Sequence, residues 1–252
     1  MIGAALGVLA YWLGIRRRVA LDNLARAFPS MTAVERRKLA RAAYAQLGRS
    51  LVELALPMPP VEFDGWEIYE KARAEGRGVV CAIAHYGNFE LLARAVGRRG
   101  VKLTLIGRRL RGAFNRWLVG SRGVHTLPDR GSSAAAVAAL RRGEVLAIAV
   151  DQNMRPSRGV FVDFFGTTAS TTPAAAVYAL RAGAPLLAAF PVRSENRTHV
   201  VKVCGPFETS KRGHEAVLDL TQQVTRAVED AVREHPDHWF WVHRRWKTRP
   251  PG

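Results

Sequence analysis

Cysteine is almost absent: the 252-residue chain holds two, Cys81 and Cys204, each inside an apolar, strand-like stretch. A disulfide-built scaffold is thereby excluded, no Cys/His grouping has the spacing of a zinc site, and both thiols read as core packing in a reducing compartment. Long apolar runs are also missing. The run Ile2 to Ile15 has 14 residues, where a membrane-spanning helix needs about 20. No basic segment precedes it and no small-residue cleavage pattern closes it, which argues against a cleaved signal peptide. There is no HExxH zinc motif, no G-x-S-x-G elbow, no RNP aromatic signature, no helix-turn-helix spacing and no zinc finger. Acidic residues are scarce, 21 against 38 lysines and arginines, giving a formal charge of +17. A surface of that sign attracts phosphates, acidic proteins or anionic lipid headgroups, and composition alone does not choose among them.

What is present is enough apolar sequence, 48% of residues, to build a core and exclude disorder. The N-terminal run ends at Arg16, Arg17 and Arg18, next to Tyr11 and Trp12. Residues 1–18 read as a short membrane-contacting segment, with a core-docked helix as the other reading. Thr32 and Glu35 form a capping box, and Leu39, Ala43, Leu47, Leu51 and Leu54 recur at helical spacing until Pro57. From residue 79 short apolar runs (79–84, 103–106, 145–150, 186–192 and 198–205) alternate with helix-like stretches, the last at 214–235. This rhythm predicts an α/β fold, a mostly parallel central sheet flanked by helices, preceded by an N-terminal helical segment. With no repeat or linker visible, residues 19–252 read as one domain.

In open α/β sheets ligands bind beyond the carboxyl ends of the strands, so the polar residues that follow each apolar run are the candidates. The first run delivers His85, the second Arg108 and Arg109, the third Asp151 and Gln152. The segment His85-Tyr-Gly-Asn-Phe-Glu90 places an imidazole at a strand end and a carboxylate in the first turn of the next helix. That spacing suits a carboxylate that fixes one imidazole nitrogen while the other takes a proton. It also suits a glutamate that only complements the helix dipole. Phe161, Phe164 and Phe165, in a glycine-bounded segment, fit either an acyl groove or simple core. Arg109 and Arg111 fit a solvated basic loop equally well.

The chain carries the segments AHYGNFE, RRLRGAFNRWL, DQN followed by GVFVDFFG and TTP, the C-terminal HWFWVHRRWKTRP and the N-terminal RRRVALDNLARAFPSMTAVER. Together they resemble the bacterial lipid A biosynthesis (lauroyl/myristoyl) acyltransferase family, from about residue 3 to the C-terminus. The resemblance implies a glycerolipid-acyltransferase-like fold and O-acyl transfer to a glycolipid hydroxyl. It implies acyl carrier protein, or coenzyme A, as the carrier of the donor, and no cofactor or metal. It assigns His85 and Glu90 as the catalytic dyad, with Glu where related glycerolipid acyltransferases have Asp, and Arg108, Asn115, Asp151 and Gln152 as substrate-binding residues. The partners it implies are acyl carrier protein, anionic membrane lipid and a glycolipid acceptor, at the cytoplasmic face of the bacterial inner membrane with peripheral or shallow attachment. Typical members begin with a longer apolar anchor.

The residues suit this chemistry. Acyl transfer to an alcohol needs a base for the hydroxyl, here His85 oriented by Glu90, and a positive group or N–H donors for the oxyanion, here Arg108 or the backbone after His85. Three other readings stay open on sequence: transfer to a different membrane lipid, thioester or ester hydrolysis with the same dyad, and sequence-independent nucleic-acid binding by the basic surface.

Overall fold

A computed structural model of the chain describes residues 1–107, 120, 124–194 and 198–250. Its N-terminal part is helical: α1 (Ile2–Trp12), α2 (Arg17–Ala27) and α3 (Ala33–Leu54). The Thr32/Glu35 capping box is formed on both sides, which fixes where α3 begins. The α/β part then runs β1 (Val61–Asp64), α4 (Trp66–Ala74), β2 (Val79–Ile83), α5 (Phe89–Arg98), β3 (Leu103–Gly107), β4 (His125–Pro128), α6 (Ser133–Arg141) and β5 (Val145–Ala149). It continues with β6 (Val160–Phe164), β7 (Thr167–Thr171), α7 (Ala174–Ala182), β8 (Leu186–Arg193), β9 (His199–Cys204) and α8 (Gly213–Glu234).

Seven strands form one sheet in the order β1-β9-β8-β2-β5-β3-β4, every neighbouring pair parallel except β8 with β9. The predicted mostly parallel sheet flanked by helices is the observed one. Alternate residues of each central strand enter different clusters: Val80, Ala82, Leu146, Ile148, Leu186 and Ala188 face one core. Val79, Ile83, Val145, Ala147, Leu187 and Ala189 face the other side. Burial on both faces is why these strands read as continuous apolar runs instead of alternating ones.

The short strands β1 and β4 and the hairpin β6–β7 were not legible as strands. The hairpin closes through Phe165 and Gly166, both with positive φ (57° and 67°), the backbone of a two-residue turn whose twist matches the strands. Pro173 stands at the cap of α7, and the Thr172 hydroxyl before it accepts from the Ala174 N–H at 3.3 Å.

The helix α1 packs one face on α3 and leaves the other bare. Gly3, Gly7 and Tyr11, four residues apart, are its buried residues. A Cβ at Gly7 would overlap the carbonyl oxygen of Tyr44, and one at Gly48 would overlap that of Gly3, so the two backbones touch where these glycines meet. The Tyr44 hydroxyl closes the far end of the contact by donating to the Ile15 carbonyl. The opposite face presents Ile2, Leu6, Leu9, Trp12, Leu13 and Ile15, each more than half exposed. One face of this run is therefore docked on the core, and the other is an exposed apolar surface.

Gly7→Ala should destabilise the α1–α3 contact by about 1–3 kcal/mol through overpacking. Gly97→Ala, on α5 with open space around the added methyl, should be neutral or stabilising by up to about 1 kcal/mol. Thermal unfolding of both variants, with limited proteolysis near residue 15, checks the contrast.

Candidate active site

The strands β2 and β5 are parallel neighbours, with Ile83 opposite Ala149. His85 and Asp151 each lie two residues past that pair, so adjacent strands deliver them side by side at the carboxyl edge of the sheet. Although 66 residues apart in sequence, they are joined twice: His85 Nδ1 lies 2.8 Å from Asp151 Oδ1, and the His85 backbone N–H donates to Asp151 Oδ2 at 2.9 Å. The Trp239 indole N–H donates to the same Oδ2 at 2.9 Å. Burial pushes the Asp151 carboxyl up, and the His85 imidazole, the His85 backbone N–H and the Trp239 indole outweigh it, holding the group below the usual carboxylate range. An ionised Asp151 fixes the Nδ1–H tautomer of His85 and leaves Nε2 as the basic nitrogen. The Asp151 side chain is 2% exposed, whereas that of His85 is 24% exposed.

Two aromatic rings hold the imidazole, Phe89 at 4.9 Å and Phe240 at 6.1 Å between centroids. Gln152 Nε2 lies 3.1 Å from His85 Nε2. These groups close one end of a narrow, partly open cleft between the inner face of α3 and the C-terminal segment, lined by Ala43, Leu47, Phe89, Phe240 and Val242 beside His85, with Gln46 and His238 also on its wall.

The backbone after His85 turns sharply. Gly87 has φ 54°, and a side chain there would overlap the Pro191 carbonyl oxygen, so only glycine fits. Asn88 caps α5, its side chain accepting from the Leu91 N–H at 3.2 Å, and Glu90 is buried in the first helical turn. The C-terminal segment pairs with this turn: the Gly87 N–H donates to His238 O at 2.8 Å and the Phe240 N–H to His85 O at 3.0 Å.

The segment from His238 onward acts as a strap. Asn23 on α2 donates to the carbonyls of Trp241 (2.7 Å) and His243 (2.6 Å). Asn153 exchanges hydrogen bonds with Thr248, and its N–H donates to His243 Nε2 at 3.0 Å. Burial takes the His243 ring down to about 4, so it is a neutral acceptor there. The buried Arg245 donates to Ser170 O at 2.8 Å and to the Thr171 hydroxyl, pinning the strap to β7.

A second polar network backs the site. Glu53 at the end of α3 accepts from both Arg193 guanidinium nitrogens and from Asn88 Nδ2 at 2.9 Å, with the buried His199 ring 3.2 Å away. Burial raises this carboxyl, and the adjacent His199 ring with the hydrogen bonds from Arg193 and Asn88 overcome that and take it to about 2.

The structure thus brings together His85, Asp151 and Gln152, with Glu90 in the adjoining helical turn. Arg108, Arg109, Arg111 and Asn115 lie outside the described residues. Asp151, expected among the substrate-binding residues, is instead buried with both oxygens bonded. Phe164 and Phe165 are buried in the core against Trp239, Trp241 and Phe28, and do not line the cleft at His85; Phe161 is half-buried on β6. Sequence reasoning missed the Trp239 indole, Asn23 and Asn153 as anchors and the Glu53 network, since each bridges distant parts of the chain. Among the described residues no group of three or more His, Cys, Asp or Glu is placed to hold a metal ion.

A model of the family described as bacterial lipid A biosynthesis acyltransferase matches residues 1–248. The chain belongs to this family. It is an acyltransferase of the lipid A biosynthesis family, similar to the lipid A biosynthesis lauroyltransferase of Escherichia coli K12, 28% identical over 100% of this chain and 86% of that one. It is also similar to the palmitoleoyltransferase of that organism, 25% identical over 100% of this chain and 85% of the relative. A crystal structure of the 1-acyl-sn-glycerophosphate acyltransferase of Thermotoga maritima aligns over 94% of this chain and 97% of its own, at 15% identity and a TM-score of 0.44.

Because the folded pKa of Glu53 lies below its ordinary 4.5, its stabilisation is present above that pH and is lost as pH falls toward about 2. The stability gap between the wild type and Glu53→Gln, on the order of 3 kcal/mol at pH 7, should therefore narrow steadily below about pH 4.5. Urea unfolding at pH 7, 5, 4 and 3 measures it.

Proposed function

We propose that this acyltransferase moves a fatty acyl group from a thioester donor to a hydroxyl of a lipid A precursor, with His85 as general base. The observation that carries the reading is an accessible imidazole whose Nδ1 is held by a buried carboxylate, at the end of an apolar cleft. His85 Nε2 takes the proton of the acceptor hydroxyl as its oxygen attacks the thioester carbonyl. The new C–O bond gives a tetrahedral oxyanion, the C–S bond breaks, and the imidazolium returns its proton to the departing thiolate. Asp151 stabilises the imidazolium. Glu90, the dyad partner by family resemblance, adds a second carboxylate in the helical turn beside the base. Arg108 and the N–H groups that open α5 serve the oxyanion or a substrate phosphate.

The donor acyl chain enters along the cleft between α3 and the strap, whose walls are mostly aliphatic and aromatic, with Gln46 and His238 among them. A protein of charge +17 suits an anionic carrier of the donor, whether acyl carrier protein or coenzyme A. Attachment is peripheral, at the cytoplasmic face of the inner membrane. Among the described residues no helix is long and apolar enough to cross a membrane. The bare face of α1 continues into the exposed Arg16 and Arg18, an apolar surface with a basic border that fits an anionic bilayer.

Purified enzyme given lauroyl-acyl carrier protein, or lauroyl coenzyme A, and a lipid A precursor should form acylated lipid in an acceptor-dependent manner. His85→Ala should lower turnover by about 100-fold or more while leaving the unfolding temperature close to wild type. Glu90→Gln and Asp151→Asn should each cost orders of magnitude in kcat, as neutralising the carboxylate of a catalytic triad does. Near-wild-type turnover of either would confine that carboxylate to the scaffold, and donor release without an acceptor would mark the enzyme as a hydrolase.

In liposome flotation the protein should bind vesicles containing anionic phospholipid more tightly than neutral ones, with the difference shrinking at high salt. Replacing Leu6, Leu9 and Leu13 by serine should abolish binding, whereas replacing Arg16 and Arg18 by glutamine should remove only the preference for anionic lipid.

A further inference from the structure

We infer that Trp239 is a positioning residue for His85, acting through Asp151: its indole N–H fixes the carboxylate that holds the catalytic imidazole. The inference rests on His85 being the base, as proposed above. Asp151 receives three hydrogen bonds, two from His85 itself and one from Trp239. The indole is therefore the donor to this carboxylate that belongs to neither strand of the His85–Asp151 pair.

Its placement is locked to the base. The residues on either side of Trp239 bond the turn that carries His85, through His238 O with the Gly87 N–H and through the Phe240 N–H with His85 O. The result is a closed circuit: His85 backbone to strap, strap to Trp239 side chain, indole to Asp151, and Asp151 back to the His85 imidazole. The strap in turn is held by Asn23 from α2 and by the bond of its own Arg245 to Ser170 of β7. A packing role alone explains the ring contacts with Phe164, Trp241 and Trp246. It does not explain an N–H aimed at a buried carboxylate oxygen, which phenylalanine could not supply.

The test is Trp239→Phe, together with replacement of Trp239 by β-(3-benzothienyl)alanine, which keeps the bicyclic shape and puts sulfur where the N–H was. Thermal unfolding establishes that the variants are folded, and the second retains the core if the first does not. Each is assayed from pH 5 to 9 with lauroyl-acyl carrier protein and a lipid A precursor. Without the indole donor Asp151 is richer in electron density and holds the imidazolium more strongly. Among the described residues, His243 and Arg245 also act on Asp151 through their charge, Glu90 stands in the helical turn after His85, and all three are unchanged in both variants.

The acid limb of kcat/KM, which reports deprotonation of the base in the free enzyme, should therefore move to higher pH. The turnover number should fall about 10- to 100-fold, the usual cost of losing an outer partner, with KM within about twofold of wild type. A limb that stays in place or moves to lower pH overturns the inference whatever happens to kcat, because a packing defect slows the enzyme without retuning its base. Transfer surviving in His85→Ala would instead defeat the reading of His85 as base, and the role of Trp239 would fall with it. An unmoved limb in an enzyme that still needs His85 defeats the inference alone.

Discussion

The hydrogen bond from His85 Nδ1 to Asp151 Oδ1 is the contact around which the carboxyl edge of the sheet is organised. A carboxylate 2% exposed is costly to bury unless its charge is compensated, and the compensation comes from three donors set by two parts of the chain, the end of β2 and the strap. The parallel register of β2 and β5 supplies the first two, because equal offsets beyond Ile83 and Ala149 bring both residues level. The strap supplies the third. Shifting β5 by one residue would turn Asp151 to the opposite face of the sheet and leave the imidazole without its partner.

The strap depends in its turn on the N-terminal helices. Asn23 is buried and spends both N–H groups of its amide on strap carbonyls, so the cost of burying it is met only when the strap is seated. The same helices form one wall of the cleft, through Ala43 and Leu47, while Glu53 at the end of α3 holds the Asn88 cap of the helix that follows the base. The helical segment is thus part of the architecture around His85 and Asp151 as well as the bearer of an exposed apolar face. Its close contact needs Gly7 and Gly48, which let two backbones meet where any side chain would collide.

The run Asp151-Gln152-Asn153 illustrates how adjacent residues at one strand end divide labour. Asp151 turns in to the imidazole, the Gln152 amide lies at its basic nitrogen, and Asn153 anchors the strap through Thr248 and His243. The buried Arg245, taken down to about 10 by burial and still a cation, stacks over Phe164 and bonds β7. Part of the basic C-terminus is therefore internal scaffold, and the remainder of the positive charge is left for the surface.

The amino-acid sequence by itself determined the α/β class, the capping box of α3, the five longer strands and the candidates His85, Glu90, Asp151 and Gln152. Apolar runs, caps and strand ends are local patterns that follow from backbone geometry over a few residues. Only the tertiary structure decided that Asp151 meets His85 Nδ1, since sheet order joins β2 to β5 across 66 residues and no local pattern encodes that pairing. It likewise sent Phe164 and Phe165 into the core and put α3 and the strap around the cleft, because aromatic residues at a hairpin satisfy a groove or a core equally until their neighbours are fixed. The role of Trp239 was invisible for the same reason: the sequence contains its indole N–H, and the fold alone brings the acceptor to it, 88 residues away.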